Sequence, residues 1–413
     1  MGCVYQSRRR ETEETELNIL AIILVGCLTQ FSSLGVIATA ISKLELVDSS
    51  GAFSSSVSIA NTLGISFTGV LLGGLLARYQ GFRIGFFAPL FSSLLIPPLI
   101  FTSNIYVILV IIFSISIIIG LDNPNNNSSL NKLIKDKKDK AHTFTKYTTA
   151  MQSSVIISPL LSAAIVVYFG HDMSFMFFMF FYALTCLPWI ASKELRKLSS
   201  SVNTHDRGSW EGYKIIMDSP ALRGLTISRI LNNLLFTGLI VLIPMMVAKA
   251  STTNEQFTFI QNIVLSLISA SFVINGLVSN NILKNQPTLA ATFAKMSTLF
   301  AALAIAVSAS FGFSEYSLYL MALMIGWGQF YFRISGMTLG QAVTPQEHLG
   351  EVILASDTLV RGITAGYSVC LLFLVNVYDS FVPLFVFCII GSAAPIFLSQ
   401  SSKIYKDGIE SEV

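Results

Sequence analysis

Apolar residues along this chain fall in long runs that are apolar all round, with polar clusters between them. Twelve runs can be read, at approximately 17–42, 51–76, 84–102, 105–122, 147–169, 173–192, 221–248, 257–282, 287–312, 315–339, 350–376 and 380–400. A helix rising about 1.5 Å per residue needs about 20 residues to cross a hydrocarbon core of about 30 Å. Each run therefore predicts a membrane-crossing α-helix. Strands of a membrane barrel would be about 10 residues long and strictly alternating, which these runs are not. The second, fifth and eighth runs are the most polar. The pattern predicts an all-α polytopic membrane protein with twelve transmembrane helices.

Composition narrows the classes further. Of 413 residues, 53% are hydrophobic and 12% charged, against about 25% charged in soluble domains. So few charges cannot cover a water-solvated multi-domain enzyme, and the apolar content excludes a disordered chain. The first run is about 25 residues, too long for a signal-peptide core of about 7–15, and reads as a retained helix. Gln6 stands where myristoylation wants Ser or Thr, so no lipid anchor is expected.

Basic residues set the expected orientation. With the N-terminus inside and the twelve spans alternating, twenty Lys and Arg fall on the inner side, while only Lys43 and Lys249 fall outside. This positive-inside bias predicts that both termini are cytoplasmic. The run Lys132 to Lys140 includes Asp136 and Asp139. It reads as a solvated cytoplasmic loop against anionic headgroups, not a nucleic-acid site.

The longest polar stretch between spans, Ser192 to Ser219, divides the chain near its middle. At an offset of 206 residues, Ile117-Ile118-Ile119-Gly120 meets Leu323-Met324-Ile325-Gly326, Leu133 meets Leu339 and His142 meets His348. Equal span counts at one shared offset suggest a six-plus-six duplication. The expected organisation is an N-terminal tail 1–16, a six-helix bundle 17–192, a cytoplasmic linker 193–219, a second bundle 220–400 and a tail 401–413.

Between the second and third spans the chain reads Gly74-Leu75-Leu76-Ala77-Arg78-Tyr79-Gln80-Gly81-Phe82-Arg83. This resembles the Gly-x-x-x-Asp-Arg-x-Gly-x-Arg loop of the major facilitator superfamily. Gly74, Gly81 and Arg83 match, whereas Arg78 replaces the family acid that helps hold one conformation closed. The fifth span carries Ser154, Ser158, Pro159, Ser162 and Ala163. That is similar to the family's exporter-associated glycines around Gly-Pro, and small residues four apart also serve ordinary close helix packing. Thr344 to Val352 and Asn123-Pro124 with Leu130 to Lys140 resemble the enterobactin-exporter-like drug and siderophore efflux branch. The resemblance implies two pseudo-symmetric bundles, proton-coupled alternating access, and residence in a bacterial cytoplasmic (inner) membrane.

Charges inside the spans are the candidate working parts, because each costs about 2.5–3.5 kcal/mol at mid-membrane. They are Arg229, Lys295, Arg333, Arg361, Asp122 and Asp357. Asp357 and Arg361 are four apart, acid first, and could form a structural ion pair along one helix or a proton-sensitive coupling pair. Arg229, Asn232 and Asn233 share a polar face suited to an oxygen-rich solute, or to an interhelical clamp. Gln329 and Arg333 are four apart on the tenth span, with Tyr331 off that face, though Arg333 could also snorkel to the interface. Lys295 reads as an interfacial anchor. Asp122 is a coupling carboxylate or a partner for a base across the half-interface. Gln30, Asn61, Gln152 and Asn262 read as helix–helix hydrogen bonds.

The embedded excess of two positive charges favours an anionic, carboxylate-bearing solute. No phosphate-binding Gly-rich loop with its Lys is present, and neither His-Glu-x-x-His nor Cys-x-x-Cys occurs, so no cofactor or metal is expected. The reading is a monomeric secondary exporter of a siderophore or drug by proton antiport. Alternatives are proton-coupled uptake of an organic anion, a lysophospholipid flippase and, at a distance, a polytopic membrane enzyme using His171 and Asp172.

Overall fold

The computed structural model describes residues 2–47, 49–79, 81–134, 137–198, 210–285, 287–344 and 348–410. Side chains at 2–14, 70, 73–78, 137–142, 144–145, 279–291, 337–338, 341, 350 and 408–410 lie outside that description. The described residues form eighteen α-helices and no strand. In chain order they are α1 (Gly2–Glu45), α2 (Ala52–Tyr79), α3 (Phe82–Leu94), α4 (Pro97–Phe101), α5 (Ile105–Ile119) and α6 (Asp122–Leu133). Then follow α7 (Lys137–Phe169), α8 (His171–Leu184), α9 (Cys186–Ala191), α10 (Lys193–Lys197), α11 (Glu211–Asp218) and α12 (Pro220–Ala250). The remainder are α13 (Asn254–Asn285), α14 (Pro287–Phe311), α15 (Glu315–Val343), α16 (Leu349–Tyr378), α17 (Val382–Gly391) and α18 (Ala394–Glu410).

Ten stretches are long and apolar enough to cross a membrane, and α2 and α15, at 28 and 29 residues, match them in length. Twelve passes result, four of them built from two helices end to end. Each of these four breaks precedes a proline in the next first turn: Pro97, Pro124, Pro188 and Pro395. Proline lacks the N–H that would continue the ladder, and its ring crowds the preceding turn, so it fits a new first turn best. Twelve passes return the chain to the face from which it set out, here the terminal face; the opposite one is the far face.

Helix extends into both stretches expected as loops. Lys132–Leu133 end α6 and Lys137 begins α7, so helix takes up both ends of the basic loop. The linker carries α10 and α11, and α11 lays Ile216 against Val352 and Ala355 of α16. An amphipathic segment beside an apolar helix end gains more by packing than by staying solvated.

The polar second, fifth and eighth passes are stable in lipid because their hydroxyls and amides bond backward along their own helices. Thr62 donates to Ser58 O, Ser153 to Thr149 O and Asn262 to Thr258 O. Such bonds lower the cost of placing these hydroxyls and amides in hydrocarbon. Asn61 accepts from Ser116, an interhelical bond of the kind expected for it. Exposed aromatics at the far-face helix ends, among them Phe101, Tyr106, Tyr168, Phe311 and Tyr316, form the belt typical of a membrane interface.

The first six passes meet the last six along two seams, α2 beside α16 and α7 beside α13. Toward the far face they close on each other. Ala40, Ile41 and Leu44 of α1 share one core with Leu242, Ile243 and Met246 of α12 and Phe257 and Ile260 of α13. Ser42 and Thr258 hydrogen-bond across the seal at 2.7 Å. Gly51, at φ +74°, lets the α1–α2 turn press on α12, since a Cβ there would lie 2.7 Å from Pro244 O.

Candidate functional site

A cavity of about 270 Å³ lies between the two sets of six passes. Its lining runs from mid-helix positions to Leu222, Thr344 and Leu349 at helix ends, so it opens toward the terminal face while the far face is sealed. α12, α15 and α16 supply most of its wall, and α6 and α7 the remainder. Arg229, Asn232 and Asn233 come from α12, Gln329 and Arg333 from α15, and Asp357 and Arg361 from α16. Asn123, Asn127, Tyr147 and Gln152 face them from the first six passes. Helical spacing explains the gathering. Residues three or four apart share a face, and burying three such faces together removes their charges from lipid.

The ion pairing differs from the sequence expectation. Asp357 pairs with Arg229 across two helices, not with Arg361 on its own helix. Arg229 also donates through Nη1 to Ser356 Oγ at 2.7 Å. The Asp357 side chain is 21% exposed and Arg229 35%, so both are reached from the cavity. Sequence spacing ranks same-helix partners only. A guanidinium arriving from a neighbouring helix, with a hydroxyl to share its fork, makes the better pair.

Arg333 is exposed to the cavity instead of snorkelling away, and its guanidinium lies 5.9 Å from the centroid of Phe272. Among the described residues, neither Arg333 nor Arg361 makes a hydrogen bond or an ion pair within 4.0 Å. Three guanidiniums and one carboxylate leave the cavity with two positive charges in excess. Tyr331 is buried outside the lining, stacked near Phe293. Lys295 is exposed on α14 and lies outside the lining, as an anchor would. Ser356 and Tyr147 belong to the site but gave no sequence signal beyond lying next to a charged or polar run.

Asp122 takes a different place. It is 4% exposed in the first turn of α6, lies outside the cavity lining and pairs with no base among the described residues. The small-residue face of α7 packs on α1: Ser158 donates to Phe31 O at 2.5 Å, and Ser162 shares a 2.9 Å bond with Thr39. Ser154 donates along its own helix to Ala150 O at 3.4 Å, and Pro159 lies inside α7.

In the loop motif, Gly81 has φ +97° and exchanges two hydrogen bonds with the Asn125 side chain, at 2.6 and 3.1 Å. A Cβ at Gly81 would lie 1.4 Å from Leu198 O, so only glycine fits this turn. Arg83 is exposed with its guanidinium 5.1 Å from the Tyr79 ring centroid. The side chains at Gly74 and Arg78 fall outside the described residues. His171 bonds to Ser42 at 3.2 Å beside Asp172 at the far face.

The sequence matches the family described as Major Facilitator Superfamily over residues 20–363. No curated protein matches it significantly. Among solved structures, a POT family transporter in complex with 5-aminolevulinic acid aligns with a TM-score of 0.67 at 14% identity, covering 94% of this chain and 96% of that one. The peptide transporter POT in complex with sulfate aligns with a TM-score of 0.69 at 14% identity, over 94% of each chain. At such identities the likeness is one of fold.

Proposed function

The chain belongs to the Major Facilitator Superfamily, and from that premise we propose that it is a secondary active exporter of a small carboxylate-bearing solute. A siderophore or an acidic drug fits this description. The observation that carries the reading is the charge of the cavity: among the described residues, Arg333 and Arg361 stand without hydrogen-bond partners beside the Arg229–Asp357 pair. Guanidiniums bind carboxylates through paired, charge-assisted hydrogen bonds. The amides of Asn232, Asn233 and Gln329 supply neutral donors and acceptors around them. Two solved neighbours hold 5-aminolevulinic acid, whose carboxylate accompanies an amine, and a sulfate ion.

The terminal face is taken as cytoplasmic from the positive-inside bias. The cavity then collects solute from the cytoplasm while Ser42–Thr258 and the apolar seal close the outside. Protonation of Asp357 would release Arg229 and change which guanidiniums the solute meets. Inward proton movement could thereby drive outward solute movement as the two bundles rock. Uptake of an organic anion with protons uses the same groups with the opposite cycle.

Inverted vesicles separate the two directions. Export predicts accumulation of labelled solute in inverted vesicles carrying an inside-acid gradient. Accumulation only in right-side-out vesicles supports uptake, and lysophospholipid movement without solute transport supports a flippase.

A further inference from the structure

The two walls of the cavity are chemically unlike. Every ionised side chain in the described lining, Arg229, Arg333, Asp357 and Arg361, comes from the last six passes. The first six bring amides instead: Asn123 and Asn127 from α6 and Gln152 from α7. Most of these amide groups are uncommitted. Asn127 Nδ2 donates to Asn123 Oδ1 at 3.0 Å, the one hydrogen bond that either side chain makes among the described residues. Gln152 makes none among them. All three residues are half-buried, so water in the open cavity can serve them.

Closure of the walls around a solute removes that water, and a buried polar group left without a partner costs free energy. The uncommitted groups are of both kinds, N–H donors on Asn123 and Gln152 and carbonyl acceptors on Asn127 and Gln152. A carboxylate offers acceptors alone. A plain dicarboxylate held by Arg333 and Arg361 would therefore leave the carbonyls of the facing wall without a donor. An ammonium would supply one, but it would enter a cavity that already carries two positive charges in excess. A hydroxyl both donates and accepts and brings no charge. The cavity holds about 270 Å³, below the range of about 300–1,000 Å³ for drug-sized ligands. The solute it suits is compact, and a molecule that fills it meets both walls.

We propose that the solute is a compact hydroxylated dicarboxylate, its carboxylates on Arg333 and Arg361 and its hydroxyl on Gln152 and Asn127. This assignment rests on the anion reading above and gives the first six passes the part of specificity. Charge attracts the solute to one wall, and the hydroxyl ties it to the other.

The test is isothermal titration of the purified full-length protein with two pairs of acids that differ by one hydroxyl, L-malate against succinate and citrate against tricarballylate. The hydroxylated member of each pair should bind about five- to tenfold more tightly. L-Aspartate, with an ammonium in place of the hydroxyl, should bind more weakly than succinate. Gln152→Leu and Asn127→Leu should each bring malate affinity down toward that of succinate while leaving succinate within about twofold. A variant that merely misfolds loses both acids alike, and the other variant and the wild-type pairs then decide. Equal affinities within both pairs, a hydroxyl preference that survives in both variants, or aspartate binding more tightly than malate would each overturn the assignment and leave the anion reading standing. Failure of all four acids to bind would remove the anion reading as well.

Discussion

Asp357 and Asp122 are both carboxylates within membrane-spanning helices, yet their surroundings have little in common. Asp357 opens onto a wide cavity, beside Arg229, Arg333 and Arg361. Asp122 is buried outside the cavity lining and pairs with no base among the described residues. The contrast teaches that an intramembrane charge is defined by access as much as by depth. A carboxylate reached from an aqueous cavity can exchange its partner for a solute. A sealed one cannot exchange its surroundings for a solute.

The strongest way to break the contrast is to strip the cavity of its two uncommitted cations. Hydrogen bonds to charged groups contribute about 1.5–3 kcal/mol each, so Arg333→Ala with Arg361→Ala should weaken binding of a polycarboxylate by more than about 100-fold. Isothermal titration on purified protein reads this directly. An unchanged affinity would move solute recognition elsewhere. Asp357→Asn removes the competing carboxylate and frees Arg229. Polycarboxylate affinity should then rise up to about tenfold, a gain of about 1.4 kcal/mol, while vesicle transport loses its response to a proton gradient.

A subtler change acts at the far-face seal. Thr258→Val deletes the 2.7 Å bond to Ser42. A net hydrogen bond contributes about 0.5–1.5 kcal/mol, so the outward-open population should grow roughly two- to tenfold. Spin-label distances across the far-face ends of α1 and α13 measure it. The smallest effect is expected from Lys295→Ala, which removes a membrane-level charge exposed outside the cavity. Solute affinity should stay the same within error. A loss would show that total charge, not its placement, governs binding.

Much of the fold was legible because lipid imposes simple rules: run length gave the passes. The prolines at 97, 124, 188 and 395 could have announced the four helix breaks, since each sits where a new first turn tolerates it. The polar passes looked doubtful because Thr62, Ser153 and Asn262 read as exposed polarity, whereas the chain satisfies them from its own carbonyls. The cavity residues were legible as expensive charges with amides at helical spacing. Their partners were not. Asp357 meets a guanidinium 128 residues away, a pairing decided by how α12 and α16 pack, and periodicity carries no information about that. Gly81 was visible as a motif glycine, but Asn125, which fixes its turn, was one asparagine in a run of several.

The central claim is that the cavity selects anions. Its most direct test is equilibrium competition on the purified protein between citrate and tetraphenylphosphonium for a labelled polycarboxylate. Citrate should displace the label, the lipophilic cation should not, and Arg333→Ala should weaken the label's own binding at least about tenfold. Displacement by the cation alone, with Arg333→Ala and Arg361→Ala both binding normally, would contradict it.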